Sequence, residues 1–227
     1  MKKLNKKSKI AIIVSASVVG ALALAILVPF SIFGIRSLSI DKSFTYLKDD
    51  ATYSKKAEVS GLNLVTQHIS CGYASIEMLS DYYGHKVTED ELSEKNHGGV
   101  STASTNGFLK EINASIPSQK FVKKTYLTND ALLKQIHISL ENNHPVAIEW
   151  AAKDSNNAWT LHFSVVSSLD IASDKVTIYN PYGEIENISI KSFIDRTSFK
   201  AFKNMPLLYS FGFAYGAFDK NTIFYAK

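Results

Sequence analysis

From residue 10 to residue 33 the chain carries no charged side chain, and five of the nine residues before that run are lysines (Lys2, Lys3, Lys6, Lys7 and Lys9). As a helix these 24 residues measure about 36 Å at about 1.5 Å per residue, more than the roughly 30 Å of a bilayer's hydrocarbon core. The run reads as a single membrane span. A cleaved secretory signal has the same basic start, but its apolar run is usually only about 7 to 15 residues, and no small-residue cleavage site followed by a polar stretch closes this one. An uncleaved signal anchor is the expectation. The lysines before the span place residues 1–9 in the cytoplasm by the positive-inside rule, and the remainder outside it.

The same lysines exceed the net charge of +4 of the whole 227-residue chain, so the rest is near neutral. It has no basic surface of the kind that binds nucleic acid. Residues 34–55 are polar, of mixed charge and aperiodic, and read as a stalk or linker. Residues 56–227 then form one domain long enough to bury a sizeable core.

Within that domain Ala74, Met78, Leu79 and Tyr82 recur at helical spacing after Cys71, with Gly84 as a C-terminal cap. Thr88 and Glu91 form a capping box opening a second helix. A loop over 97–105 leads to a third, and Leu132, Ile136 and Leu140 line a fourth that stops before Pro145. From there the period changes: "PVAIEW", "WTLHFSVVSSL", "KVTIYNPYG" and "NTIFYAK" are rich in β-branched and aromatic residues and read as antiparallel strands, with a helix in "IKSFIDRTSF". Helices first and strands second describe an α+β domain. The aromatic tail "LLYSFGFAYGAF" reads as core, with cleft lining as the alternative.

Cys71 is the only cysteine, so it makes no intramolecular disulfide. It is either inert packing or chemical. Its place at a helix start favours chemistry, because unpaired amides and the helix dipole lower a thiol's pKa there. Gly72 permits close approach by a backbone or a substrate. Of six histidines, His68, His85, His97, His137 and His144 fall in loops, beside caps or in a polar helix, whereas His162 interrupts a strand. The following strand ends at Asn180, which a hairpin brings back beside His162 to hold the imidazole in one tautomer. A zinc site built on Cys71, His162 and Glu149 lacks any second spaced ligand pair.

A cysteine opening "CGYASIEML", a downstream "HFSVV" strand and an "NPYG" turn, in that order, resemble the papain-like peptidases of the double-glycine-leader type and their free-standing bacterial relatives. The resemblance covers about residues 60 to 195. It implies a papain-like fold and a cysteine peptidase that needs no metal or other cofactor and takes a peptide or protein substrate. Cys71 would be the nucleophile, His162 the general base and then acid, and Asn180 the residue orienting it. Gln67 matches by type the family's oxyanion glutamine, at a shorter interval than the family's. Three rival outcomes stay open: an amidase or acyltransferase using the same thiol, a catalytically silent peptide- or surface-binding domain, and a structural domain with an inert cysteine.

Overall fold

The structure is a computed structural model that describes residues 6–227, with side chains from residue 17 onward. The first helix, α1 (Lys6–Ser39), continues six residues past the expected span, running through Gly34 to Ser39. It is the one described helix long and apolar enough to cross a membrane, and none of its apolar window is buried. The first five residues of the basic segment lie outside the described residues.

The segment 34–55, expected as a linker, packs on the domain from residue 40 onward. Ile40, Leu47 and Tyr53 are buried, the last two in short 3-10 turns at Thr45–Asp49 and Ala51–Tyr53. Thr128, Tyr46 and Lys42 meet the carboxylate of Asp130 at 2.6, 2.7 and 3.0 Å, and together hold that carboxyl well below its usual range despite its burial. Such turns leave no periodic apolar signature, which is why the sequence there looks solvated.

The remaining elements are β1 (Ala57–Glu58), α2 (Cys71–Tyr82), α3 (Glu89–Lys95), α4 (Thr105–Ser115), β2 (Phe121–Lys124), α5 (Asn129–Glu141), β3 (Val146–Lys153), β4 (Trp159–Asp170), β5 (Lys175–Asn180), β6 (Glu184–Ile188), α6 (Ile190–Thr197), α7 (Leu207–Ala214) and β7 (Thr222–Ala226). The strands form one antiparallel sheet in the order β2-β7-β3-β4-β5-β6, with β1 paired to β4. One face packs Tyr73, Met78, Phe108 and Ile112 of α2 and α4 against Phe163, Val165 and Phe224. The other packs Leu132, Ile136 and Phe193 of α5 and α6 against Ile148, Trp150, Val166 and Ile178. Because both faces are covered, β3 is buried over seven of its eight residues and shows no alternation in its sequence.

The expected α+β architecture is therefore present. Three strands and a helix were not foreseen. β1 is only two residues long, β2 carries two lysines, and β6 is an edge strand of mostly exposed residues. The tail forms α7, whose single buried residue is Phe213, so most of it is not core.

Candidate active site

Cys71 owes its position to a buried carboxylate. Glu89, at the start of α3, is fully buried and accepts the main-chain N–H groups of His68, Ile69 and Ser70 at 3.2, 2.9 and 3.0 Å. Those are the three residues ahead of the cysteine. Ser70 then caps α2, its side chain accepting the Tyr73 N–H at 3.1 Å. The loop and the helix start are thus fixed on both sides of Cys71.

Gly72 faces Thr102 in the 97–105 loop rather than open space: a Cβ added there would lie 2.5 Å from the Thr102 Cβ. The glycine admits a neighbouring loop, where a substrate or backbone was expected. Gly72→Ala should cost about 1 to 3 kcal/mol by overpacking, and Thr102→Gly in the same chain should recover most of it. Chemical denaturation of the single and double variants checks this.

The thiol lies in a cavity of about 210 Å³ lined by Ser70, Val100, Thr102, Glu149, Leu161, Phe163, Tyr209 and Phe218. Burial pushes the thiol up to about 11, against the opposing pull of the main-chain amides of Phe163, Gly72 and Cys71 itself. The helix start was expected to lower this pKa. Desolvation wins because low dielectric penalises a lone thiolate more than a few amides reward it. Glu149 on the same wall is 1% exposed, and burial raises its carboxyl well above the usual range.

His162 is 1% exposed and sits in β4 opposite Trp150 of β3. Its Nε2 lies 2.7 Å from Asn180 Oδ1. The amide orientation of Asn180 follows from its other partners: its Nδ2 donates to the Glu186 carboxylate at 2.7 Å, and its Oδ1 also accepts the Tyr182 N–H at 3.0 Å. A carboxylate only accepts, so the amide oxygen faces the imidazole and Nε2 carries the ring proton. Burial pushes the imidazole down to about 3, which leaves it neutral with Nδ1 as its one basic nitrogen. Tyr182 stacks on the ring, with centroids 4.0 Å apart and planes at 21°, and its hydroxyl is 2.9 Å from Thr160 Oγ1.

His162 and Asn180 are therefore in direct contact. The thiol meets β4 at Phe163, the next residue along, and no hydrogen bond joins it to the imidazole among the described residues. Gln67 lies on the Tyr182 side, in a separate groove of about 440 Å³ with Thr66, Lys153, Asp154 and Pro181. Its N–H donates to the Pro181 carbonyl at 2.8 Å, and its Oε1 is buried without a partner.

Sequence reasoning missed Glu89, Tyr182, and the support behind Asn180. Arg196 of α6 pairs with Glu186, its Nε donates to the Ala151 carbonyl at 2.8 Å, and its guanidinium carbon lies 3.5 Å from the Trp150 ring centroid. Tyr182 alone had a local signal, since it stands in the "NPYG" turn beside Asn180.

A thiol opening the helix that packs on an antiparallel sheet, whose adjacent strands carry an imidazole hydrogen-bonded to an amide, is the architecture of the papain-like class. The chain belongs to the Peptidase_C39 like family, which residues 57–206 match. A crystal structure of a putative C39-like peptidase from Bacillus anthracis is similar to it, with 13% identity over 76% of this chain and 98% of that one and a TM-score of 0.52. A double glycine motif protease from an AMS/PCAT transporter, solved in complex with the leader peptide, is 14% identical over 74% of this chain and 94% of its own, with a TM-score of 0.48. No curated protein matches the chain.

Proposed function

We propose that the protein is a membrane-anchored, extracytoplasmic cysteine peptidase, with Cys71 as nucleophile, His162 as general base and acid, and Asn180 as the residue that orients it. The observation that carries the reading is the His162 to Asn180 hydrogen bond, in a tautomer that leaves Nδ1 free to take a proton. Family membership supports the reaction class.

In this mechanism the thiol and imidazole draw together when substrate binds, since apo catalytic contacts are often long. The thiol proton passes to Nδ1 as sulfur attacks the peptide carbonyl. The tetrahedral oxyanion accepts from the Cys71 N–H and, as the family resemblance implies, from the Gln67 side-chain amide. His162 returns its proton to the departing amine, leaving a thioacyl-enzyme. Water, deprotonated by the same nitrogen, releases the acid and restores the thiol. α1 holds the domain at the membrane, with residues 1–9 in the cytoplasm.

Full-length protein in detergent is incubated with a mixed peptide library and the products are read by mass spectrometry. The expected result is new peptide termini together with a mass adduct on Cys71 after acid quench, both missing from Cys71→Ala. A silent peptide-binding domain is the second reading, favoured by the thiol's being held protonated by burial. Peptides retained uncleaved by the wild type would establish it instead.

A further inference from the structure

We propose that α7 and the turn after it form a second membrane contact, seated in the outer leaflet beside α1, so that the Cys71 cavity opens at the bilayer surface. The inference rests on the reading of α1 as a membrane span.

Residues 204–218 carry no charge and are bracketed by Lys203 and Asp219. Beyond α1, the three most exposed large hydrophobic side chains all belong to this stretch: Leu208 at 76%, Leu207 at 69% and Tyr215 at 57%. Clustered apolar exposure of this kind marks a surface that meets something apolar. What it meets follows from where it sits. Tyr215 Oη donates to the Ala25 carbonyl at 2.9 Å, Phe211 meets Phe30 edge-on at 5.2 Å, and Phe213 stacks on Phe33 at 5.6 Å. The hairpin therefore runs alongside α1 from Phe33 down to Ala25.

A hydrocarbon core of about 30 Å takes about 20 helical residues. Counted from residue 10, its outer boundary falls near residue 29. Ala25 then lies about 6 Å inside the core, and the segment bonded to it enters the lipid with it. At the depth of the head groups stands Lys220, whose Nζ is 5.1 Å from the Phe33 ring centroid, as expected of a basic residue flanking an apolar insert. A bilayer accounts for both the exposed leucines and the depth.

This seat has a consequence for the cleft. Tyr209 in α7 and Phe218 after it line the Cys71 cavity, so the element that borders lipid also walls the reacting thiol. A substrate would be met within reach of the membrane surface.

The test uses full-length protein in the Cys71→Ser background, with single cysteines introduced for a nitrobenzoxadiazole label and reconstituted in phosphatidylcholine vesicles containing acyl-chain nitroxide lipid. Leu208→Cys reports α7 and Leu24→Cys reports the span. Asn142→Cys, exposed at the far end of α5 from Ile40, is the aqueous control. The expected result is quenching at position 208 comparable to that at 24 and several-fold greater than at 142, repeated with Tyr215→Cys. Quenching at 24 but not at 208 or 215 overturns the seat and leaves the anchor standing. A blue-shifted but unquenched label at 208 also overturns it, since a protein partner would then cover the helix. No quenching at any position overturns the seat and the membrane span together.

Discussion

Cys71→Ala is expected to lower peptide hydrolysis by at least about 10⁴-fold while changing the unfolding midpoint little. The loss is large because the chain holds no second thiol to take its place, and an alanine methyl forms no acyl-enzyme. The fold persists because the loop and helix start are held by Glu89 and Ser70, not by the sulfur. His162→Ala should cost about 10² to 10⁴ in kcat, the usual contribution of a general base. The pH dependence separates two forms of this mechanism. With the thiol held up near 11 and the imidazole down near 3 by burial, both partners are neutral across the middle of the scale. The thiol loses its proton only above its raised value, and the imidazole gains one only below its lowered value. kcat/KM is therefore expected to be flat between about pH 5 and about pH 9, with limbs outside that window. Initial rates across the range decide it: a limb at about 6.5, the ordinary imidazole value, would show a base that is not desolvated.

Much of this site was legible locally. Cys71 at a helix start, the Thr88 and Glu91 capping box, and the hairpin returning Asn180 to His162 each depend on spacing within one or two neighbouring elements. The protonation state of the thiol was not legible. Its position argued for a lowered pKa and its burial imposes a raised one, and burial depends on Leu161, Phe163 and Phe218, which lie far along the chain. For the same reason Gly72 signalled a close approach by a backbone or a substrate without telling that the approaching group is the Thr102 side chain. The tail was expected as core, with cleft lining as the alternative; Phe213 is its one buried residue in α7, while Tyr209 and Phe218 line the Cys71 cavity. Apolar residues carry no mark in the sequence that tells core from cleft wall.

The largest stability effect is expected at a residue that no motif marks. Arg196 is 9% exposed, and it simultaneously neutralises Glu186, satisfies the Ala151 carbonyl and covers Trp150. Arg196→Ala leaves the Glu186 carboxylate, whose side chain is 14% exposed, without its counter-charge, and opens a gap over a fully buried indole. Breaking such a pair from one side costs about 3 to 5 kcal/mol. At about 2 to 4 °C per kcal/mol for a domain of this size, the midpoint should fall by roughly 10 °C, as read by circular dichroism of the full chain in detergent. Arg196→Lys keeps the charge but loses the fork and the flat stacking surface, and should fall between the two. The same substitution reaches the reaction through Asn180. Glu186 is the acceptor that turns the Asn180 nitrogen away from His162. A carboxylate that swings out lets the amide rotate, present Nδ2 to the ring and reverse its tautomer, so that the ring's basic nitrogen changes from Nδ1 to Nε2. In Arg196→Ala, kcat should therefore fall at temperatures where the protein is still folded, with KM little changed. A variant that lost stability but kept kcat would make Arg196 a purely structural residue.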